Sequence, residues 1–67
     1  MTDDRRKQML FELKLALRGA DHFTARLLML MLKADASNMN RLSTGFPDEV
    51  QIISEWRAGL IDEKEIN

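Results

Sequence analysis

The chain contains no cysteine, so neither a disulfide bond nor a zinc site built on thiolates holds it together. Its longest unbroken apolar run, residues 27–32, is far shorter than the roughly 20 residues that cross a bilayer. The charged start, residues 1–7, leads into an amphipathic stretch without a small-residue cleavage site, unlike a secretion signal. We therefore expect a cytoplasmic protein without membrane contact, stabilised by helix packing or by self-association.

What the chain does contain is typical of a small globular domain. Of its 67 residues, 45% are hydrophobic and 31% are charged, which favours folding over disorder although the core of so short a chain is marginal. Residues 1–33 carry seven Lys and Arg against four Asp and Glu, whereas residues 34–67 carry three against seven. The two halves can attract each other within one monomer or between two antiparallel chains, and the sequence leaves both arrangements open.

The spacing of apolar residues predicts four helices in one domain, residues 1–67. The predicted bounds are about 3–18, 22–34, 38–44 and 47–58, with a tail at 60–67. The residues that mark them are N-caps, helix-ending glycines and a proline suited to a first helical position: Thr2, Asp21, Gly19, Gly45, Gly59 and Pro47. In the tail, Asp62 and Glu65 have the spacing of a capping box, which predicts either one terminal turn or a helix that a docked partner extends.

The second predicted helix differs from the others because it is apolar on nearly every side. Its polar residues form a narrow strip, His22, Arg26 and Lys33. A helix of this kind is usually covered by neighbours on several sides, so we expect it at the centre of the molecule. The short breaks between helices favour antiparallel neighbours. The predicted fold class is all-α, a compact bundle of three to four short antiparallel helices with the second helix central.

Residues that carry catalysis or bind cofactors are sparse. His22 is the single histidine, and we interpret it as a surface residue beside a helix cap. The acidic cluster of Asp62, Glu63 and Glu65 lacks support from histidine or cysteine, so we interpret it as a solvated charge run. The three glycines are isolated from one another, which excludes a glycine-rich phosphate loop. We therefore expect no enzyme activity, no cofactor, no metal and no small-molecule substrate.

Nucleic-acid binding is an alternative function. Seven cations gather on the first two predicted helices: Arg5, Arg6, Lys7, Lys14, Arg18, Arg26 and Lys33. The third helix adds Arg41 among polar side chains that are able to reach base edges. Phosphate attraction supplies most non-specific affinity, however, and the whole chain has a net charge of −1. We therefore rank contact with nucleic acid below contact with protein.

An apolar pair on the first helix points to protein binding. Phe11 and Leu15 lie off the core face, among Lys7, Lys14 and Arg18. An aromatic and an aliphatic side chain rimmed by cations are typical of an interface anchor. The sequence leaves equally open that Phe11 and Leu15 are covered instead, by the fourth helix, by residues 60–61 or by a second copy in a structural homodimer. The residues expected to bind a protein are Phe11, Leu15, Lys14, Arg18, Arg26 and Met29.

Residues 33–56 also resemble known small proteins. The pattern Lys33-Ala34-Asp35-x-x-Asn38-x-x-Arg41-Leu42-x-x-x-Phe46-Pro47-x-Glu49-Val50, closing with Trp56, is similar to small uncharacterised helical proteins of bacteria, phages and mobile elements. The resemblance implies a helical fold and a phage or mobile-element setting, without an activity. In that setting, small accessory or regulatory factors include inhibitors of host enzymes and anti-defence proteins, and this is the function we expect. Separately, Gly59-Leu60-Ile61-Asp62-x-x-Glu65 is similar to the turn and cap of the bacterial short C-terminal domain, which continues well past Asn67.

Overall fold

The structure is a computed structural model, and it describes residues 1–66. The helices are α1 (Asp3–Leu17), α2 (Phe23–Lys33), α3 (Ala36–Gly45) and α4 (Pro47–Arg57), followed by one 3-10 turn, Glu63–Glu65. No strand occurs among the described residues, and the helices pack into a globule of 30 × 25 × 20 Å. The prediction of a compact all-α bundle is confirmed.

Local capping explains where α1 and α4 begin and end. The side-chain oxygen of Thr2 accepts a hydrogen bond of 3.1 Å from the backbone amide of Arg5, which satisfies one of the free amides at the start of α1. Pro47 opens α4, where its fixed φ suits the helix and its missing amide proton is not needed. Gly19 and Gly59 have φ of 89° and 75°, so each supplies the left-handed conformation that turns the chain after a helix.

Two helix starts differ from the prediction. The N-cap of α2 is His22 rather than Asp21, and its ring Nε2 lies 2.6 Å from Oε2 of Glu12 instead of capping the helix. The first residue of α3 is Ala36, two residues earlier than predicted, because the carboxylate of Asp35 accepts a hydrogen bond of 2.8 Å from the amide of Asn38. Residues 35–37, which the predicted bounds leave between the second and third helices, are therefore the cap and the first turn of α3. The other helix bounds differ from prediction by at most one residue.

The core is one cluster to which every helix contributes. Its buried side chains are Met9, Leu13 and Ala16 of α1, Ala25, Leu28 and Met31 of α2, Met39 of α3, Ile52 and Ile53 of α4, and Ile61. α4 packs against α1, α2 and α3, and α1 also packs against α2. The helices are thus joined mainly through α4.

Burial of α2 is one-sided. Ala25, Leu28 and Met31 face the core, whereas Phe23 and Leu30 are each 61% exposed. The expectation that α2 is covered on several sides is therefore wrong for its outward side. Its principal neighbours are α1 and α4, and a chain of this length has too few helices to surround one of them.

Two further apolar side chains are exposed although helical spacing puts them on the same faces as core residues, Leu17 with Leu13 and Leu60 with Ile53. Leu17 is the last residue of α1, where little of the bundle extends past it, and Leu60 follows Gly59 beyond the end of α4. Because Gly59 is left-handed, the helical spacing no longer determines which way the side chain of Leu60 points. The apolar stripe therefore fails as a guide at the helix ends.

The opposite charges of the two halves meet inside one molecule. Nε of Arg5 donates a hydrogen bond of 2.7 Å to Oδ2 of Asp48, and this bond raises the pKa of Arg5. Nη1 of Arg6 donates one of 2.7 Å to Oε1 of Glu55, and this bond lowers the pKa of Glu55 below its ordinary value. Nη2 of Arg6 also lies 3.9 Å from Oε1 of Glu65. These pairs connect α1 with α4 and with the terminal turn, so the charge asymmetry does not require a second chain.

The terminal turn is closed by the predicted capping box. The amide of Asp62 donates a hydrogen bond of 2.9 Å to the side chain of Glu65, and the carboxylate of Asp62 accepts one of 3.0 Å from the amide of Lys64. Ile61, just before the box, is buried in the core cluster. Within the described part of the chain, the tail is therefore one turn that lies against the bundle.

Leu28→Ala will destabilise the protein by about 2–5 kcal/mol, because the side chain of Leu28 is fully buried and its truncation leaves a cavity in the core. The matched control is Leu30→Ala on the same helix, which will change the free energy of unfolding by less than about 0.5 kcal/mol because Leu30 is exposed. Urea denaturation followed by circular dichroism measures both values. Equal destabilisation by the two substitutions would mean that the outward side of α2 is packed after all.

Glu55→Gln will lower stability at neutral pH by up to about 1 kcal/mol, the usual range for a partly exposed ion pair. Because the pKa of Glu55 is lowered in the folded state, this contribution is complete above its ordinary value of 4.5 and is lost as the pH falls through the lowered value. The urea midpoints of the wild type and of Glu55→Gln will therefore differ at pH 7 and converge as the pH is lowered to 3. Glu63→Gln, at an exposed carboxylate without a salt bridge in residues 1–66, will follow the wild type throughout.

Candidate functional site

The predicted protein-binding residues lie on two separate surfaces. Phe11, which is 55% exposed, and the half-buried Lys14 line a shallow depression on α1, together with Ile66 from the tail. Arg26 and Met29 are exposed on α2 and line a larger groove. The structure therefore divides the predicted set between two helices.

Leu15 and Arg18 belong to neither recess. Leu15 is half-buried, and Arg18 is the exposed C-cap of α1. Neither residue lines the depression beside Phe11 or the groove beside α2. The predicted anchor pair is thus unequal, because Phe11 is open to solvent while Leu15 is partly covered.

The larger recess, of about 890 Å³, runs along the outward side of α2. We call it the α2 groove, and its lining residues are Phe23, Arg26, Leu27, Met29, Leu30 and Lys33 of α2, with Ala16, Gly19, Ala20 and Asp21 from the end of α1 and the following loop. Two of the most exposed large apolar side chains of the described residues, Phe23 and Leu30, lie in it. It therefore combines apolar contact surface with concave shape.

Helical spacing explains why apolar and cationic side chains share the groove. Phe23, Leu27 and Leu30 follow one another at i, i+4 and i+7, so they form a row along α2. Arg26 and Lys33 have the same separation of seven residues and lie along one edge of that row. The core residues of α2 fall on the other side of the helix, so Phe23 and Leu30 face solvent, while Leu27 between them is half-buried and also packs against the core.

A second recess continues the α2 groove toward α3. It is lined by Leu30, Lys33, Ala34, Asn38, Arg41 and Leu42, so Leu30 and Lys33 belong to both. Nη1 of Arg57 donates a hydrogen bond of 3.1 Å to the carbonyl of Ala34, which ties the end of α2 to α4. One continuous surface therefore extends from Phe23 to Arg41.

Phe23 is held in place although most of its surface is exposed. Its ring centroid lies 6.0 Å from that of Phe46, with an angle of 50° between the ring planes. A tilted arrangement at this distance is a favourable aromatic contact. Phe46 itself packs against the core cluster, so the exposed ring of Phe23 contacts a residue that the core holds in place.

The electrostatic character of the groove is cationic. Arg26, Lys33 and Arg41 take part in no salt bridge with residues 1–66, and the groove lining contains one carboxylate, Asp21. Arg5 and Arg6, in contrast, are engaged by carboxylates of α4 and the terminal turn. Arg26, Lys33 and Arg41 therefore place unpaired positive charge beside the exposed apolar side chains of α2, and Lys7, Lys14 and the C-cap Arg18 of α1 also form no salt bridge with residues 1–66.

Polar side chains in the described part of the chain form no metal-ligand cluster and leave no buried side-chain nitrogen or oxygen unpaired. Among residues 1–66, no three His, Asp or Glu side chains are placed to hold a metal ion. No buried side-chain nitrogen or oxygen in this part of the chain lacks a hydrogen-bond partner. His22 is exposed, with its ring beside Glu12.

Sequence reasoning missed Phe23 and Leu30. Both lie on the apolar second helix, and because that helix was expected to be covered by its neighbours, neither residue was predicted to be exposed. A signal was present, since Phe23 and Leu30 are seven residues apart and flank Arg26, a residue seldom buried without a partner. Apolar positions adjacent to such an arginine mark the outward side.

Compared with family models, with curated proteins and with solved structures, the chain matches none of them. The resemblances seen in the sequence stay predictions. Across residues 1–66, each helix is too short or too polar to pass through a bilayer. A function must therefore be inferred from the surface of this molecule alone.

The dye 8-anilinonaphthalene-1-sulfonate carries apolar rings and one negative charge, which suits the α2 groove, and its fluorescence reports exposed apolar surface. Leu30→Glu will reduce dye binding at neutral pH several-fold, roughly as expected for losing one apolar contact of 1–2 kcal/mol. The matched control is Leu60→Glu, the same change at a residue that is 70% exposed and outside the groove. Fluorescence titration of folded protein measures the effect, and an equal loss in both variants would contradict the assignment.

Proposed function

We propose that this chain is a small protein-binding accessory or regulatory factor whose partner docks on the α2 groove. The observation that carries the proposal is the row of apolar side chains along α2, in which Phe23 and Leu30 are each 61% exposed. Single exposed apolar residues are common on protein surfaces, but a contiguous row in a concave site is typical of an interface.

Energetics support docking at this place. Covering an exposed Phe or Leu side chain completely is worth about 1.5–3 kcal/mol, so burial of the row supplies a large share of the free energy of a moderate complex. The row lies on a helix whose other side is fixed in the core by Leu28 and Met31. Docking onto such a surface orders few additional side chains, which limits its entropic cost.

The cations favour a protein partner over nucleic acid. Of the seven on α1 and α2 that suggested phosphate binding, Arg5 and Arg6 are neutralised by carboxylates of α4. Of the remaining five, Arg26 and Lys33 border the apolar row, and Phe23 is the single aromatic ring in the groove lining. Single-stranded nucleic acid is usually held by several stacking rings in a basic channel. A mobile-element setting, in which such a factor inhibits a host enzyme or a defence system, stays a prediction.

A selection from yeast-displayed random 16-residue peptides tests the proposal. Wild-type protein and the Leu60→Glu control will enrich the same peptides, because Leu60 lies outside the groove. Leu30→Glu will bind those peptides about tenfold more weakly or not at all, since it removes an apolar contact and introduces a charge at the centre of the row. Flow cytometry at a series of protein concentrations gives the affinities.

Two outcomes would contradict protein binding at the groove. One is that the enriched peptides bind Leu30→Glu as tightly as they bind the wild type. The other is that a 20-base-pair DNA duplex binds the wild-type protein tightly at low salt and loses affinity steeply as salt rises, which is the signature of phosphate contacts. Circular dichroism confirms beforehand that both variants fold.

A further inference from the structure

We propose, as an inference that rests on the proposed function, that the partner presents an acidic amphipathic helix to the α2 groove. The partner helix lays an apolar stripe along Phe23, Leu27 and Leu30, and its carboxylates pair with Arg26 and Lys33. Charge, spacing and the available modes of recognition each support this occupant.

Charge complementarity indicates the sign of the partner. Arg26, Lys33 and Arg41 border the continuous surface and form no salt bridge within residues 1–66, and Asp21 is the single carboxylate in its lining. A cationic partner would meet repulsion here, whereas an acidic one would be steered to the site. At 100° per residue, Arg26 and Lys33 lie along the same edge of the apolar row, so the partner needs carboxylates along one edge of an apolar stripe.

The spacing along α2 fits a helix. Arg26 and Lys33 are seven residues apart, which is about 10 Å along a helix axis and about two helical turns. Carboxylates at i and i+7 of a partner helix that lies along α2 have the same separation. The apolar row from Phe23 to Leu30 spans the same length, so one helix of three to four turns covers both.

The architecture disfavours other modes of peptide recognition. Strand addition requires an open sheet edge, and the described residues contain no strand. A polyproline segment requires a groove lined by several aromatic rings, whereas the α2 groove has one, Phe23. An amphipathic helix whose apolar stripe lies in an apolar groove is the mode that uses both the concave shape and the apolar row of this surface.

A second copy of this chain is a poor occupant. In a twofold-symmetric contact, α2 would face α2, and Arg26 and Lys33 of one copy would approach the same cations of the other. The carboxylates Asp48 and Glu55 are already held by Arg5 and Arg6 of their own molecule. The partner is therefore a different protein.

Two synthetic 18-residue peptides test the inference. Both carry a leucine stripe on a helix-forming background, flanked at i and i+7 by glutamates in one peptide and by glutamines in the other. Wild-type protein will bind the glutamate peptide about fivefold more tightly at 150 mM salt, the effect of two partly exposed ion pairs. The double variant Arg26→Gln, Lys33→Gln will bind the two peptides equally. Fluorescence anisotropy of labelled peptide measures the affinities.

The chain offers a closely matched control. Lys7 and Lys14 of α1 are also seven residues apart, flank the exposed Phe11 and form no salt bridge in the described part of the chain. The double variant Lys7→Gln, Lys14→Gln removes the same net charge and will retain the preference for the glutamate peptide. If it loses the preference as fully as the α2 variant does, attraction is non-specific and the inference is overturned.

Other outcomes separate this inference from the proposed function. If wild-type protein binds both peptides equally and Leu30→Glu binds neither, the groove docks a helix without regard to charge, which overturns the acidic partner and leaves protein binding intact. If neither synthetic peptide binds, and the yeast-displayed peptides that depend on the groove show no helical pattern of apolar residues, then the claim that the partner presents a helix is overturned. If display yields no groove-dependent peptide, the proposed function fails. Displacement of the glutamate peptide from the groove by duplex DNA would also overturn the inference.

Discussion

The packing of Ile52 and Ile53 against the other helices is the contact on which the rest of the structure depends. Both side chains are fully buried, and α4 is the helix that packs against α1, α2 and α3. In a chain this short, no helix can be enclosed on every side, because the surface is large relative to the volume. The positions of α1 and α4 determine which side of α2 is covered, and they leave its outward side open.

Electrostatics follow from the same arrangement. α4 and the terminal turn carry the carboxylates that hold Arg5 and Arg6, so the acidic half of the chain neutralises one end of α1. Arg26 and Lys33 lie on the side of α2 away from its core contacts, and within residues 1–66 they have no salt bridge. Internal pairing thus uses Arg5 and Arg6 and leaves Arg26 and Lys33 unpaired beside the exposed apolar side chains of α2. A chain with a net charge of −1 therefore presents a locally cationic surface there.

Prediction from sequence succeeded where local chemistry decides the structure. The cap at Thr2 and the proline at Pro47 act within one helical turn, and the spacing of Met9 and Leu13 follows the helical period, so these features are visible in sequence. It failed for Leu30, because an apolar helix does not reveal which of its sides its neighbours cover. The candidate site was predicted in part, since Arg26 and Met29 line the groove, whereas Phe11 lies elsewhere. Whether a partner binds either surface stays a prediction.

The junction at Phe46 has a mechanical consequence. This residue is both the C-cap of α3 and the N-cap of α4: its amide donates to the carbonyl of Leu42 at 2.8 Å, and its own carbonyl accepts from the amide of Val50 at 3.0 Å. Phe46 is the one residue between the two helices, so its backbone torsions set the angle between them. Its ring also contacts the exposed ring of Phe23, so a partner that displaces Phe23 at the start of α2 would disturb the residue that joins α3 to α4.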